Sequence, residues 1–115
     1  MSGKVLVVED EPMVQILLED ICAHADVEIV AMVDTVKDAL AAIDRGGFKA
    51  VILDVNLHGE TSEPIAAALQ GKGYPVLVST GSFPGELPAV FKDFTIVQKP
   101  FSTVDMVLLL SQVAF

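Results

Sequence analysis

A chain of 115 residues, 52% apolar and 20% charged, has the size of one domain and enough apolar content for a substantial core. Its 7 basic and 16 acidic residues leave a net charge of −9, which argues against nucleic acid or an anionic membrane surface as a direct partner, since phosphate contacts need Lys and Arg. The lone cysteine, Cys22, excludes a disulfide framework and a cysteine metal cluster, and no apolar stretch approaches the length of a bilayer span. Cys22 lies among Leu18, Ile21 and Ala25, which predicts a buried structural thiol. Lys4 precedes only a short apolar run closed by Glu9, unlike a signal peptide, so a reducing cytoplasm is the expected compartment.

Short apolar runs alternate with longer helical patterns, the signature of βαβ units and a parallel sheet. The first strand is expected over Lys4–Val8. The first helix begins near Pro12, with Met13, Ile16, Leu17, Ile21 and Ala25 at helical spacing. A second strand covers Glu28–Val33. The second helix runs from a Thr35 cap to Arg45, stopped by Gly46-Gly47, with Val36, Ala39, Leu40 and Ile43 on its inner face. The third strand is Ala50–Leu53, and the third helix starts near Ser62-Glu63-Pro64 and ends at Gly71. The fourth strand is Pro75–Ser79 and the fifth Thr95–Gln98. Between them Ser82–Asp93 holds Pro84, Gly85 and Pro88, leaving room for at most a short, frayed or disordered fourth helix. A last helix follows a Ser102 cap and is expected to reach the chain end, so one domain, residues 1–115, without an output domain is expected.

The strand ends carry the chemistry. The third strand runs into Asp54, the first into Glu9-Asp10-Glu11, the fourth into Ser79-Thr80-Gly81 and the fifth into Lys99-Pro100. Parallel strands gather these groups at one sheet edge, where open α/β folds bind ligands. Taken singly, each has an ordinary reading: a helix cap, a solvated turn, or acidic residues favouring a helix N-terminus. Together, in order, they suit phosphoryl transfer onto Asp54 assisted by a divalent ion. Glu9, Asp10 and Asp54, with the backbone carbonyl of Asn56, form an oxygen shell suited to Mg²⁺. Lys99 offers a positive charge for a phosphoryl oxygen and Thr80 a hydroxyl donor.

The motifs Val7-Val8-Glu9-Asp10-Glu11-Pro12, Leu53-Asp54-Val55-Asn56-Leu57, Ser79-Thr80-Gly81 and Lys99-Pro100-Phe101 make the chain resemble a receiver domain of bacterial two-component response regulators over essentially its whole length. The resemblance implies a flavodoxin-like, doubly wound, five-stranded parallel sheet of order 2-1-3-4-5. It implies Asp54 as phosphoacceptor, Asp10 as direct and Glu9 as water-mediated Mg²⁺ ligand, Thr80 as switch hydroxyl and Lys99 as the conjugate cation. It further implies a phosphohistidine donor on a sensor histidine kinase or histidine phosphotransfer protein. The protein then signals through protein contacts, acting as an enzyme only in its own phosphotransfer and self-dephosphorylation. Val14 and Leu17 on the first helix, with Pro100 and Phe101, would form the surface that meets the donor. Two departures stand out: Ile96 occupies the position where receivers commonly carry Tyr or Phe, and Thr80 lies only 19 residues before Lys99. With Asn56-Leu57-His58-Gly59-Glu60 and Thr80-Gly81, these features resemble the "FAT GUY" subclass of often stand-alone receivers, although Val78-Ser79 replaces the usual Phe-Ala.

Three other functions fit less well. A pseudo-receiver would not need Glu9, Asp10, Asp54, Thr80 and Lys99 intact. A flavin binder would want a glycine- and hydroxyl-rich loop where Glu9-Asp10-Glu11 repels phosphate. An aspartyl-phosphate hydrolase would want Asp rather than Asn56. His58 reads as a solvated loop residue, and His24 has no assigned role. The last helix is apolar nearly all round, from Val104 to Val113, so beyond deep packing it can meet a partner or a second copy in a homodimer.

Overall fold

Successive strand residues point to opposite faces, so a run such as Val5-Leu6-Val7-Val8 needs cover on both sides of its sheet. The computed structural model, which describes residues 3–113 and 115, provides that cover. In chain order the elements are β1 (Gly3–Val8), α1 (Pro12–His24), β2 (Val27–Val33), α2 (Val36–Arg45), β3 (Ala50–Asp54), β4 (Asn56–Leu57), β5 (Glu60–Thr61), α3 (Glu63–Leu69), β6 (Val76–Thr80), β7 (Thr95–Gln98) and α4 (Thr103–Ser111). Five strands form a parallel sheet of order β2-β1-β3-β6-β7, the flavodoxin-like order expected once β4 and β5 are set apart. Val5, Val7, Ile52 and Leu77 face α1 and α4, where Leu18, Ile21, Cys22, Met106 and Leu110 are buried. Leu6, Val8, Val51, Leu53 and Val78 face α2 and α3, meeting Ala39, Ile43, Ile65 and Leu69. Each fully buried Val, Leu, Ile or Met side chain among these contributes roughly 1.5–3 kcal/mol by leaving water. Burial also pushes the Cys22 thiol up to about 11, so it is a packed, unreactive group as expected.

The helix caps follow their sequence signals. Thr35 Oγ1 accepts the Asp38 N–H at 3.1 Å, and Ser102 Oγ accepts the Asp105 N–H at 3.0 Å. Several details differ from expectation. In α1 the inner stripe is Leu18, Ile21 and Cys22, while Met13 and Ile16 are 76% and 61% exposed, because a helix with apolar residues on several faces admits two registers one residue apart. Leu40 likewise lies at the exposed margin of α2. α3 ends at Leu69, with Gln70 already extended, two residues before Gly71. α4 ends at Ser111: Gln112 and Val113 turn back in three-residue hydrogen bonds to Leu109 and Leu110, and Ala114 lies outside the described residues.

Two features were not foreseen in form. Asn56–Leu57 and Glu60–Thr61 pair as a small antiparallel ribbon directly after Asp54. Between β6 and β7 the prolines permit only two 3₁₀ turns, Pro84–Glu86 and Ala89–Phe91. The second is anchored by Leu87 and the fully buried Phe91, whereas Phe83 is exposed.

Candidate functional site

The C-terminal ends of β1, β3, β6 and β7 bring the predicted groups to one edge. Asp54 is buried as the last residue of β3; its Oδ2 accepts a hydrogen bond from Lys99 Nζ at 3.2 Å and its Oδ1 accepts the Asn56 N–H at 3.3 Å. Lys99 Nζ lies 3.3 Å from Glu9 Oε1 and 3.5 Å from Glu11 Oε1, so one ammonium faces three carboxyl groups. It is positioned by the chain: Lys99 N–H donates to the Thr80 carbonyl at 2.6 Å, tying the ends of β6 and β7 together before a cis Lys99-Pro100 bond. Thr80 is buried, one residue beyond Ser79, the register partner of Asp54, and its Oγ1 accepts the Ser82 N–H at 3.0 Å.

Asp10 is held by the β4–β5 turn, its Oδ2 accepting the His58 N–H at 2.8 Å. Ser62 stands at the N-cap of α3, as read from sequence, but its side chain makes no cap hydrogen bond. Its buried hydroxyl donates to the Asp54 carbonyl at 2.6 Å and its N–H to the Val55 carbonyl at 2.7 Å, fastening the segment after the acidic residue. Asn56 is exposed beside this pocket.

The electrostatics are those of a crowded acidic pocket. Burial, then the Asp54 carboxylate, push the Glu9 carboxyl up to about 8. Burial draws the Lys99 ammonium down, but Asp54 and Glu9 more than offset this and raise it. Burial likewise works against ionised Asp10, yet the His58 amide and neighbouring groups hold it below its usual range. The Asp34 hydrogen bond raises His58.

These residues fit a hard cation. Glu9, Asp10, Glu11 and Asp54 can each offer a ligand atom within 4.8 Å of the others. Glu9 Oε1 is buried and, although 3.3 Å from the Lys99 ammonium, makes no hydrogen bond of good geometry, so it keeps lone-pair capacity that a second cation can take. Glu11, visible in the acidic run but not singled out, belongs to this group. Beside it Glu11, Val14, Leu17, Lys99, Pro100 and Phe101 line a concavity of about 370 Å³, bringing together the four residues expected to meet a partner.

The family model for the response regulator receiver domain matches residues 5–110. The chain belongs to this receiver family. The receiver is 40% identical to SdrG from Sphingomonas melonis Fr1, with a TM-score of 0.80 over 97% of this chain and 98% of that one. The BeF3-activated conformation of SdrG is 39% identical, with a TM-score of 0.77 over 98% of this chain and 100% of that one. The receiver is also 43% identical over 82 residues to the transcriptional regulatory protein TcrA of Mycobacterium tuberculosis; the match covers 67% of this chain but only 31% of TcrA. Receivers of this family are signalling proteins of two-component systems. Among the described residues no helix is long and apolar enough to cross a membrane.

Proposed function

We propose that this receiver accepts a phosphoryl group on Asp54 from the phosphohistidine of a sensor histidine kinase or histidine phosphotransfer protein. In the forward step an Asp54 carboxylate oxygen bonds to phosphorus, the phosphorus–nitrogen bond breaks, and the histidine leaves with the bond pair. Deactivation is hydrolysis: a water oxygen bonds to phosphorus, the Asp54 oxygen–phosphorus bond breaks, and inorganic phosphate leaves the restored carboxylate. Glu9, Asp10 and Asp54, with the Asn56 carbonyl, would hold Mg²⁺, which when bound neutralises charge on the phosphoryl oxygens. Lys99 follows the charge that Asp54 now shares with the phosphoryl group. Thr80 exchanges its Ser82 contact for a phosphoryl oxygen.

The observation that carries this reading is the 3.2 Å Lys99–Asp54 contact inside a pocket whose other walls are carboxylates. Such a pocket is built to receive a cation and an anion together. The likeness to SdrG, solved in a BeF3-activated conformation, supports it, since beryllofluoride on a carboxylate has the tetrahedral shape of a phosphoryl group. The concavity at Val14, Leu17, Pro100 and Phe101 opens beside Lys99 and suits the donor helices. The receiver then works in the cytoplasm, through contacts with a downstream protein.

The test is phosphotransfer from a phosphorylated sensor kinase of the same cell. Label is expected to pass to the wild type and not to Asp54→Asn; undiminished labelling of that variant overturns the proposal.

A further inference from the structure

The β4–β5 ribbon places a histidine at a position whose backbone favours glycine or asparagine. Leu57 pairs with Glu60, leaving His58 and Gly59 as a two-residue connection in which both have left-handed backbones, φ 50° and 83°. Histidine is one of the few non-glycine residues that enter this region, at a modest cost that local contacts can offset. His58 has those contacts. Its N–H donates to Asp10 Oδ2 at 2.8 Å, its Nε2–H to Asp34 Oδ2 at 3.0 Å, and its Nδ1 lies 3.9 Å from the same Asp10 oxygen. Asp34 directly follows β2, whose end is tied to that of β1 where the Glu9 N–H donates to the Val33 carbonyl at 3.0 Å. His58 therefore links the turn that holds Asp10 to the loop after β2.

We propose that His58 is a positioning residue for the metal site: braced on Asp34, it fixes the ribbon turn so that its amide holds one Asp10 oxygen and aims the carboxylate at Glu9 and Asp54. This rests on the acidic pocket being a Mg²⁺ site. The bridge is solvent-facing, with the His58 and Asp34 side chains 56% and 47% exposed. Its contribution to global stability is therefore small. Its effect lies instead in the order of a ligand, as with outer partners of metal ligands generally.

The experiment measures Mg²⁺ affinity by NMR titration for the wild type, His58→Ala, Asp34→Ala, the double variant and Asp34→Asn. Asp34→Ala leaves the left-handed turn untouched, so it separates the bridge from turn strain. Each alanine variant is expected to bind Mg²⁺ about three- to fivefold more weakly, within what an exposed pair can contribute. The double variant should be no worse than either single one, since both break one link. Asp34→Asn keeps an acceptor oxygen and should retain most of the affinity, and the backbone amide at position 58 should exchange faster in the alanine variants only. Unchanged affinity in both alanine variants, or additive losses, overturns the positioning role while leaving the metal site intact. A wild type that shows no response to Mg²⁺ overturns the site and the role together.

Discussion

Replacing Glu9 with Gln should make the Mg²⁺-free protein more stable near neutral pH, although it removes a residue of the site. Glu9 is 1% exposed, 3.3 Å from Lys99, and shares its pocket with Asp54. Burial and that neighbour raise its carboxyl from 4.5 to about 8. A carboxyl that holds its proton more tightly when folded contributes stability that is fully present below about pH 4.5. That contribution is lost as pH rises towards 8, because the unfolded chain ionises freely and the folded one does not. Each unit is about 1.4 kcal/mol, so the interval between pH 4.5 and pH 7 corresponds to about 3 kcal/mol. Gln mimics the protonated side chain and has no such dependence. The two proteins should therefore be nearly equal in stability at acid pH, and the variant should lead by about 3 kcal/mol at pH 7. Denaturant unfolding in a metal chelator across that range measures the difference. Mg²⁺ should then restore stability to the wild type more than to the variant. Parallel stability curves for the two proteins would refute the claim that Glu9 is a strained, cation-seeking carboxylate.

Three further outcomes are expected. Asp10→Ala should weaken Mg²⁺ binding at least about tenfold and abolish the shifts that Mg²⁺ induces around Asp54 and Lys99 in NMR titration, as loss of a direct ligand would. Glu at Val14 or Leu17 should slow phosphotransfer from a kinase about tenfold or more while leaving phosphorylation by acetyl phosphate near normal, because a buried charge at a docking surface disrupts the partner and not the pocket; equal loss from both donors would indicate damage to the site. Beryllofluoride should raise hydrogen-exchange protection in residues 82–86, next to Thr80, more than in residues 89–91, where Phe91 is already fully buried.

The sheet and the acidic pocket were legible because both depend on short-range signals. Four apolar runs each end in a polar or charged group, and a parallel sheet leaves those ends nowhere to go but one edge. What escaped depends on distance or on degenerate patterning. α1 carries apolar residues on more than one face, so periodicity placed Ile21 inside but could not choose Leu18 and Cys22 over Met13 and Ile16. A two-residue strand gives no periodicity, so the ribbon around His58-Gly59 read as plain loop; the alternating residues about a two-residue turn were its only signal. His58 meets Asp34 across 24 residues, a contact no local motif encodes. Ser62 carried a helix-start signal, but its hydroxyl turns inward to the Asp54 carbonyl. The prolines before β7 rule out a regular helix, yet the burial of Leu87 and Phe91 in that segment follows from the space left beside α3, which is a property of the packed fold.

The most direct test of the central claim is to locate the phosphoryl group. The receiver is incubated with Mg²⁺ and acetyl phosphate, the acyl phosphate is reduced with borohydride, and the digested chain is read by mass spectrometry. The reduced product, homoserine, is expected at position 54 in the wild type, and nowhere in protein treated without the donor. Homoserine at another carboxylate, or a phosphoryl group retained on His58, would contradict the assignment of Asp54.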